Sequence, residues 1–358
     1  MALSKVVNNS IESVDASKLT GTLPAIDGSN LTGIATEPEI TKQSSDPTVS
    51  TNPSGGVGSI ILNTTSGKMF VLTDATAGAN VWQAGVDGSV EPYGGMVGTG
   101  GTITTDGNFK VHVFNSSGTF EVTTLGVGGG ATAVEYLVVA GGASGGNAHG
   151  GGGGAGEYLT GTGFTVATQA YAITVGGGGA AQATRGIGND GANSVFSTIT
   201  AIGGGGGGST TTPINGSAGG SGGGGSGPGG AGGASQAGGN DGGIGHSSNY
   251  SSGGGGGSGA VGANASSTVG GAGGAGTSSS ITGSAVVRAG GGGGGGASTG
   301  GTAGNGGATA GMSGDGESSN ATANTGSGSG GTRDQSGNHA PTGSGGSGVV
   351  IIRYQFQA

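Results

Sequence analysis

Between Gly128 and Gly348 lie 82 of the 100 glycines of this chain, many in pure runs such as Gly203 to Gly208 and Gly290 to Gly296. Without Cβ atoms such a stretch cannot build a side-chain core, so any order in it must come from backbone groups pairing with backbone groups. Two outcomes are open. Glycine at this density without a strict Gly-X-Y period ordinarily gives a low-complexity, disordered chain. The other outcome is a bundle of left-handed extended helices with three residues per turn and a rise of about 3.1 Å, in which nine residues run roughly 28 Å. Such helices form no internal hydrogen bonds. Their N–H and C=O groups point outward to neighbouring helices, at a spacing that any Cβ would force open.

The flanking sequence favours the bundle as the expectation, with disorder as the alternative. Within 203–348 there is no leucine or phenylalanine, one aromatic residue (Tyr250) and six charges (Asp241, Arg288, Asp315, Glu317, Arg333, Asp334). Ordering each residue costs about 1–2 kcal/mol, and burial of apolar side chains returns almost nothing here. Yet the glycines come in pure tracts separated by polar clusters that look like turns: Ser209–Gly216, His246–Ser252, Met312–Asn324 and Thr332–Thr342. Disordered linkers mix Gly and Ser evenly or carry high charge. The run Val349-Val-Ile-Ile-Arg-Tyr-Gln-Phe356 beyond the last tract reads as a strand that tethers the region at its far end.

The remainder divides into short units. Residues 1–36 hold a repeat, Asp15-Ala-Ser-Lys-Leu-Thr-Gly echoed by Asp27-Gly-Ser-Asn-Leu-Thr-Gly, with Leu19 and Leu31 in matching places. One apolar anchor per unit is what three chains winding about a common axis would share; a disordered arm is the alternative. Residues 37–57 read as a Pro/Ser/Thr linker and 58–93 as a β-hairpin module, in which Trp82 caps a small core. Phe109, Val111 and Val113, then Phe120 and Val122 after the Asn115–Gly118 turn, predict a second, half-buried hairpin. With Val134–Ala140 and further short β-rich runs they predict a β-sandwich of 102–202 plus 349–358, into which 203–348 is inserted. The expected fold class is all-β with little α-helix.

Composition excludes several functions. A net charge of −9 with only nine Lys+Arg gives no footprint for nucleic acid or an anionic membrane surface, and no apolar run approaches the length of a membrane span. The opening residues lack the apolar segment of a secretory signal. With no cysteine and with His112, His149, His246 and His339 far apart in sequence, no metal site or cofactor is expected. Gly-x-Gly-x-x-Gly matches abound by chance, and Gly67-Lys68 lacks the Ser/Thr a phosphate loop needs. Gly188-Asn-Asp-Gly191 and Gly239-Asn-Asp-Gly242 read as turns, and Asp315 with Glu317 as solvated turn residues rather than a glycosidase pair. The expectation is therefore not an enzyme.

The Asp15–Gly33 repeat, the Leu62–Thr76 hairpin, and Val134-Glu-Tyr-Leu-Val-Val-Ala-Gly-Gly142 with Gly348-Val-Val-Ile-Ile-Arg-Tyr354 resemble tail fibre proteins of tailed bacteriophages that carry a glycine-rich domain. The tracts are similar in composition to the polyglycine sandwich of phage tail-tip adhesins. That resemblance implies a homotrimeric virion component, extracellular after lysis. Its N-terminus would join other tail proteins and its distal domain would bind a host receptor, carbohydrate or outer-membrane protein. Loops on a rigid scaffold are where binding residues reside. The candidates are His246, Asn249 and Tyr250 in one cluster and Arg333, Asp334, Asn338 and His339 in another, with the ring available for stacking and the polar groups for directional bonds. A purely structural fibre component without a receptor site is the alternative function.

Overall fold

A run such as Val349-Val-Ile-Ile is apolar at consecutive positions, so as a strand it must be covered on both faces. The computed structural model describes residues 40–85, 95–126, 131–211, 213–236, 238–334, 337 and 340–357. The repeat of residues 1–36 lies outside these. The described residues are all-β, with no helix among them.

Four strands, β1 (Ile40–Gln43), β2 (Ile60–Asn63), β3 (Met69–Asp74) and β4 (Val81–Gly85), form a small sheet of their own, outside the sandwich. β1 arises inside the stretch read as a linker and pairs in parallel with β2, while β2, β3 and β4 run antiparallel. Alternate residues Ile61, Phe70 and Leu72 point to one side and bury Trp82, so this lone tryptophan is a packing residue.

The sandwich comprises β5 (Val97–Thr99), β6 (Thr102–Asp106), β7 (Phe109–Phe114), β8 (Gly118–Thr124), β9 (Ala133–Val139), β10 (Tyr158–Thr165), β11 (Ala170–Thr174), β12 (Ser194–Phe196) and β13 (Ile199–Ala201). A hairpin, β14 (Thr277–Ser279) and β15 (Val286–Arg288), and a last strand, β16 (Val349–Gln355), complete the chain. One sheet has the order β10-β9-β16-β7-β6 and the other β13-β12-β11-β8-β5. Phe114, Val138, Ile352 and Tyr354 of the first sheet meet Phe120, Tyr171 and Phe196 of the second. The opposite face of the first sheet, with Val111, Leu137, Val139, Val349 and Ile351, is covered by Ala155, Ile281 and Ala289. The C-terminal strand is thus buried on both sides, between β9 and β7.

The second hairpin does not form. β7 pairs with β6 and β16, and β8 pairs with β11 and β5, so Asn115–Ser117 is a corner between sheets. Val111 and Val113 belong to the outer face while Phe120 and Val122 belong to the inner one; His112 and Phe114 are the inward residues of β7. Two strands that each look half-buried in sequence are equally well satisfied in two different sheets.

His112 locks this corner. Its Nδ1–H donates to the Gly100 carbonyl at 2.7 Å, which leaves Nε2 to accept from the Tyr354 hydroxyl at 3.2 Å, and Tyr354 in turn accepts the Gly98 N–H at 2.8 Å. Burial holds the His112 pKa below its ordinary 6.5, with the charge of Lys110 adding to the effect and the Gly100 hydrogen bond opposing it. Because the folded pKa is the lower one, His112 contributes full stability above about 6.5, and this is lost as pH falls from there toward the folded value. The urea midpoint is expected to drop between pH 7.5 and 5.5 in the native protein and to drop less in His112→Gln. That difference separates His112 from Glu157, whose pKa burial shifts upward. An identical drop in both proteins would refute the assignment.

The glycine tracts are ordered, and their hydrogen bonds carry the period of the helix. Successive amides from Gly150 to Glu157 donate to Thr332, Gly208, Gly253, Ser329, Gly205, Gly256, Gly326 and Ile202. Three neighbours are visited in rotation, and the partner number steps by three on each return, which is the mark of three residues per turn. Falling numbers (332, 329, 326 and 208, 205, 202) make two neighbours antiparallel, and rising ones (253, 256) make the third parallel. The tracts begin at Gly141, inside the span that the sequence assigns to the sandwich, and both Gly141–Gly146 and Gly150–Gly154 are buried.

At the margin of the bundle side chains replace missing carbonyls. Gly203 N–H donates to Asn193 Oδ1 at 2.9 Å and Gly206 N–H to Asp190 Oδ1 at 2.7 Å. Asn215, Asn264, Asn305 and Asn320 accept in the same way from Ala231, Ile244, Gly276 and Ser344. Asp190, from one of the Asn-Asp pairs read as turns, therefore acts inside an extended tract, where its short carboxylate arm reaches one helix further.

Candidate binding site

The hydrogen-bond register sorts the tract ends. Glu157 pairs with Ile202 and Gly156 with Gly326, next to β10 and β13 of the sandwich. At the other end Gly150 pairs with Thr332, Gly151 with Gly208, Gly227 with the His149 carbonyl and Ser252 with Gly295. Since each tract reverses direction, the polar breaks at 147–149, 209–211, 246–252 and 332–334 emerge together at the end away from the sandwich.

His149 occupies the tightest of these reversals. Ala148 and His149 both take left-handed backbone angles (φ 61° and 54°), which L-residues adopt at a cost. The turn is held by Thr210, whose N–H and hydroxyl both donate to the Ala148 carbonyl at 3.2 and 3.1 Å. The His149 carbonyl accepts from the Ser252 hydroxyl at 2.6 Å and from Gly227 N–H at 3.1 Å. Tyr250, also left-handed (φ 54°), sets its ring 5.3 Å from the His149 ring at 55°.

These residues line an open concavity of about 590 Å³ formed by His149, Arg185, Thr210, Tyr250, Arg333 and Asp334. Asp334 is buried, with its side chain 3% exposed, and accepts from Arg185 at 3.2 Å and from Gly337 N–H at 2.6 Å. Arg333 is anchored by one bond, Nη1 to the Asn249 carbonyl at 3.3 Å, and its Nε is buried without a hydrogen-bond partner. Burial lowers the Arg333 pKa. Burial likewise holds the His149 pKa below its ordinary 6.5, reinforced by the Arg333 charge, so the imidazole is neutral at pH 7, and its Nδ1 is buried without a partner.

Three of the sequence candidates, Tyr250, Arg333 and Asp334, meet in this concavity. Asn249 contributes its backbone carbonyl to Arg333. His246 does not line the concavity; its Nδ1 accepts from Ser248 N–H at 3.3 Å and its own N–H donates to Ser251, so it closes the loop that presents Tyr250. Asn338 and His339 lie outside the described residues. Met312–Asn324 supplies none of the lining residues.

A family model described as a glycine-rich domain matches residues 115–355. The chain belongs to this glycine-rich domain family. No curated protein is significantly similar to it. The glycine-rich domain takes in β8 to β16 and the whole bundle, and with it all six residues of the concavity.

His149, Arg185 and Thr210 were not singled out in the sequence. Thr210 belongs to the Ser209–Gly216 break, and a signal was present in the other two: Asn147-Ala-His149 interrupts one glycine run, and Ala180–Arg185 separates Gly176–Gly179 from Gly186 onward. Both lie before residue 203, in the stretch that reads as sandwich. Chemically the concavity combines an exposed aromatic face, a hydroxyl, a neutral imidazole and two guanidinium groups against one carboxylate. That set suits binding of a polar ligand with an apolar face.

Proposed function

We propose that the protein is a receptor-binding adhesin of a phage tail fibre, acting as a trimer that grips the host surface through the loop end of its glycine bundle. The observation that carries this reading is the gathering of Tyr250, Arg333, Asp334, His149 and Arg185 around one concavity at the end of the bundle opposite the sandwich. A backbone-bonded scaffold supplies rigidity without side chains, so loop residues are free to vary in chemistry while their positions stay set. Tyr and Arg are the residue types that most often dominate binding energy at such sites.

Purified protein is expected to be retained on responsive strains within a panel of Gram-negative bacteria. The double variant Tyr250→Ala/Arg333→Ala is expected to lose about 30-fold or more in apparent affinity, as removal of interface anchors does, with an unchanged melting temperature. Equal retention of the folded double variant would overturn the site, and mass measurement in solution tests the trimer.

A further inference from the structure

We propose that the concavity is a subsite for an acidic saccharide, in which Arg333 takes the carboxylate or phosphate of the sugar and Tyr250 supports the ring. This deepens the adhesin reading and rests on it for the source of the ligand.

The charge arrangement is the first ground. Among the described residues two guanidinium groups line the concavity with a single carboxylate, and that carboxylate is engaged by Arg185. Among the described residues Arg333 has no ion-pair partner; Nη1 spends one donor on a carbonyl and Nε is buried, which leaves the other Nη donors for a ligand. A planar fork of free donors matches carboxylate or phosphate oxygens two at a time. The chain as a whole carries −9, so this is a local excess of positive charge against the sign of the protein, and it selects for an anion by contact rather than by long-range attraction.

The second ground is the company Arg333 keeps. Tyr250 is 48% exposed, with a left-handed backbone that turns it out of its loop, and it stands beside the His149 ring. An exposed ring next to hydroxyl and imidazole groups fits the apolar face and hydroxyl edge of a sugar. An acidic protein loop would satisfy the arginines but leave that ring without a flat partner.

The test measures binding of the full chain to trigalacturonate, to glucose 6-phosphate and to a neutral trigalactoside by calorimetry. The acidic sugars are expected to bind and the neutral one to bind at least tenfold more weakly. Arg333→Gln is expected to weaken acidic-sugar binding about 10- to 100-fold, the loss typical of a charge-assisted hydrogen bond, and Arg333→Lys less. Should Arg333→Gln fail to fold, Arg185→Gln at the exposed partner is expected to act in the same direction, because it removes one of the two guanidinium groups that line the concavity. Preference for trigalacturonate over glucose 6-phosphate assigns the source as a uronic acid, and the reverse as a phosphorylated sugar. No binding of either at ~10 mM, equal binding of the neutral sugar, native binding by both variants, or displacement from cells by an acidic peptide and not by the sugars would overturn the proposal. If cells retain native and Arg333→Gln proteins equally, adhesion stands and the subsite falls. If no cells retain the protein while trigalacturonate binds through Arg333, the subsite stands and adhesion falls.

Discussion

Gly152→Ala is expected to destabilise the glycine-rich domain by about 3 kcal/mol or more, at the upper end of overpacking costs, while Gly177→Ala is expected to be neutral or to stabilise by about 0.4–1 kcal/mol. Both residues are glycines in bundle tracts, and composition cannot tell them apart. A Cβ on Gly152 would collide with the Gly292 carbonyl, whereas one on Gly177 meets nothing within 4 Å. The clash at Gly152 is with backbone, so no rotamer change relieves it; the helix axes must separate, and the bonds from Gly152 to Gly253 and from Gly255 to Gly292 lengthen together. Gly177 has an ordinary backbone angle and is exposed, so its added methyl only restricts the unfolded chain. Urea unfolding of the two variants tests the contrast. Equal effects, or complete exchange of the Gly150–Glu157 amides within seconds in the native protein, would refute close packing of the tracts.

Phe120→Ala should cost about 3–5 kcal/mol, the range for deleting a buried phenyl ring. Phe120 is fully buried and joins the two sheets of the sandwich. From β8 its ring lies 5.0 Å from that of His112 and 6.2 Å from Tyr354 across the interface, and 6.5 Å from Phe196 within its own sheet. Its loss opens a cavity that neighbours fixed by hydrogen bonds, His112 and Tyr354, are poorly able to fill. Ile103→Ala on the edge strand β6, where Ile103 is 47% exposed, is the control and should cost well under about 1 kcal/mol. Comparable losses at the two positions would mean that the sandwich interface is not where the stability resides.

Much of this architecture was legible because it is written in local pattern. The β-branched runs at 134–140 and 349–356 form adjacent strands, and two of the polar breaks bring Tyr250, Arg333 and Asp334 to one site. Pairing was less legible. β7 and β8 alternate as a hairpin would, yet they lie in different sheets, because alternation specifies a buried face and not which partner buries it. Asp190 looks like a turn residue for a related reason: its preference for local backbone bonding is the same whether the amide it reaches is two residues on or in the next helix, as that of Gly206 is. Arg185 and Asp334 are 149 residues apart, and nothing local to either announces their ion pair.

Taken alone, the sequence determined that no side-chain core could exist among the glycine tracts, that any order there had to be made of backbone bonds, and that chemistry was confined to the breaks between them. Which tract lies beside which was decided by the tertiary structure. A glycine amide and a glycine carbonyl are the same in every tract, so the bonds that hold the bundle carry no identity. The order of the helices is set instead by the sandwich that anchors their ends and by the side chains at the margins. Only once that order is in place do His149, Arg185, Tyr250 and Arg333 surround one concavity.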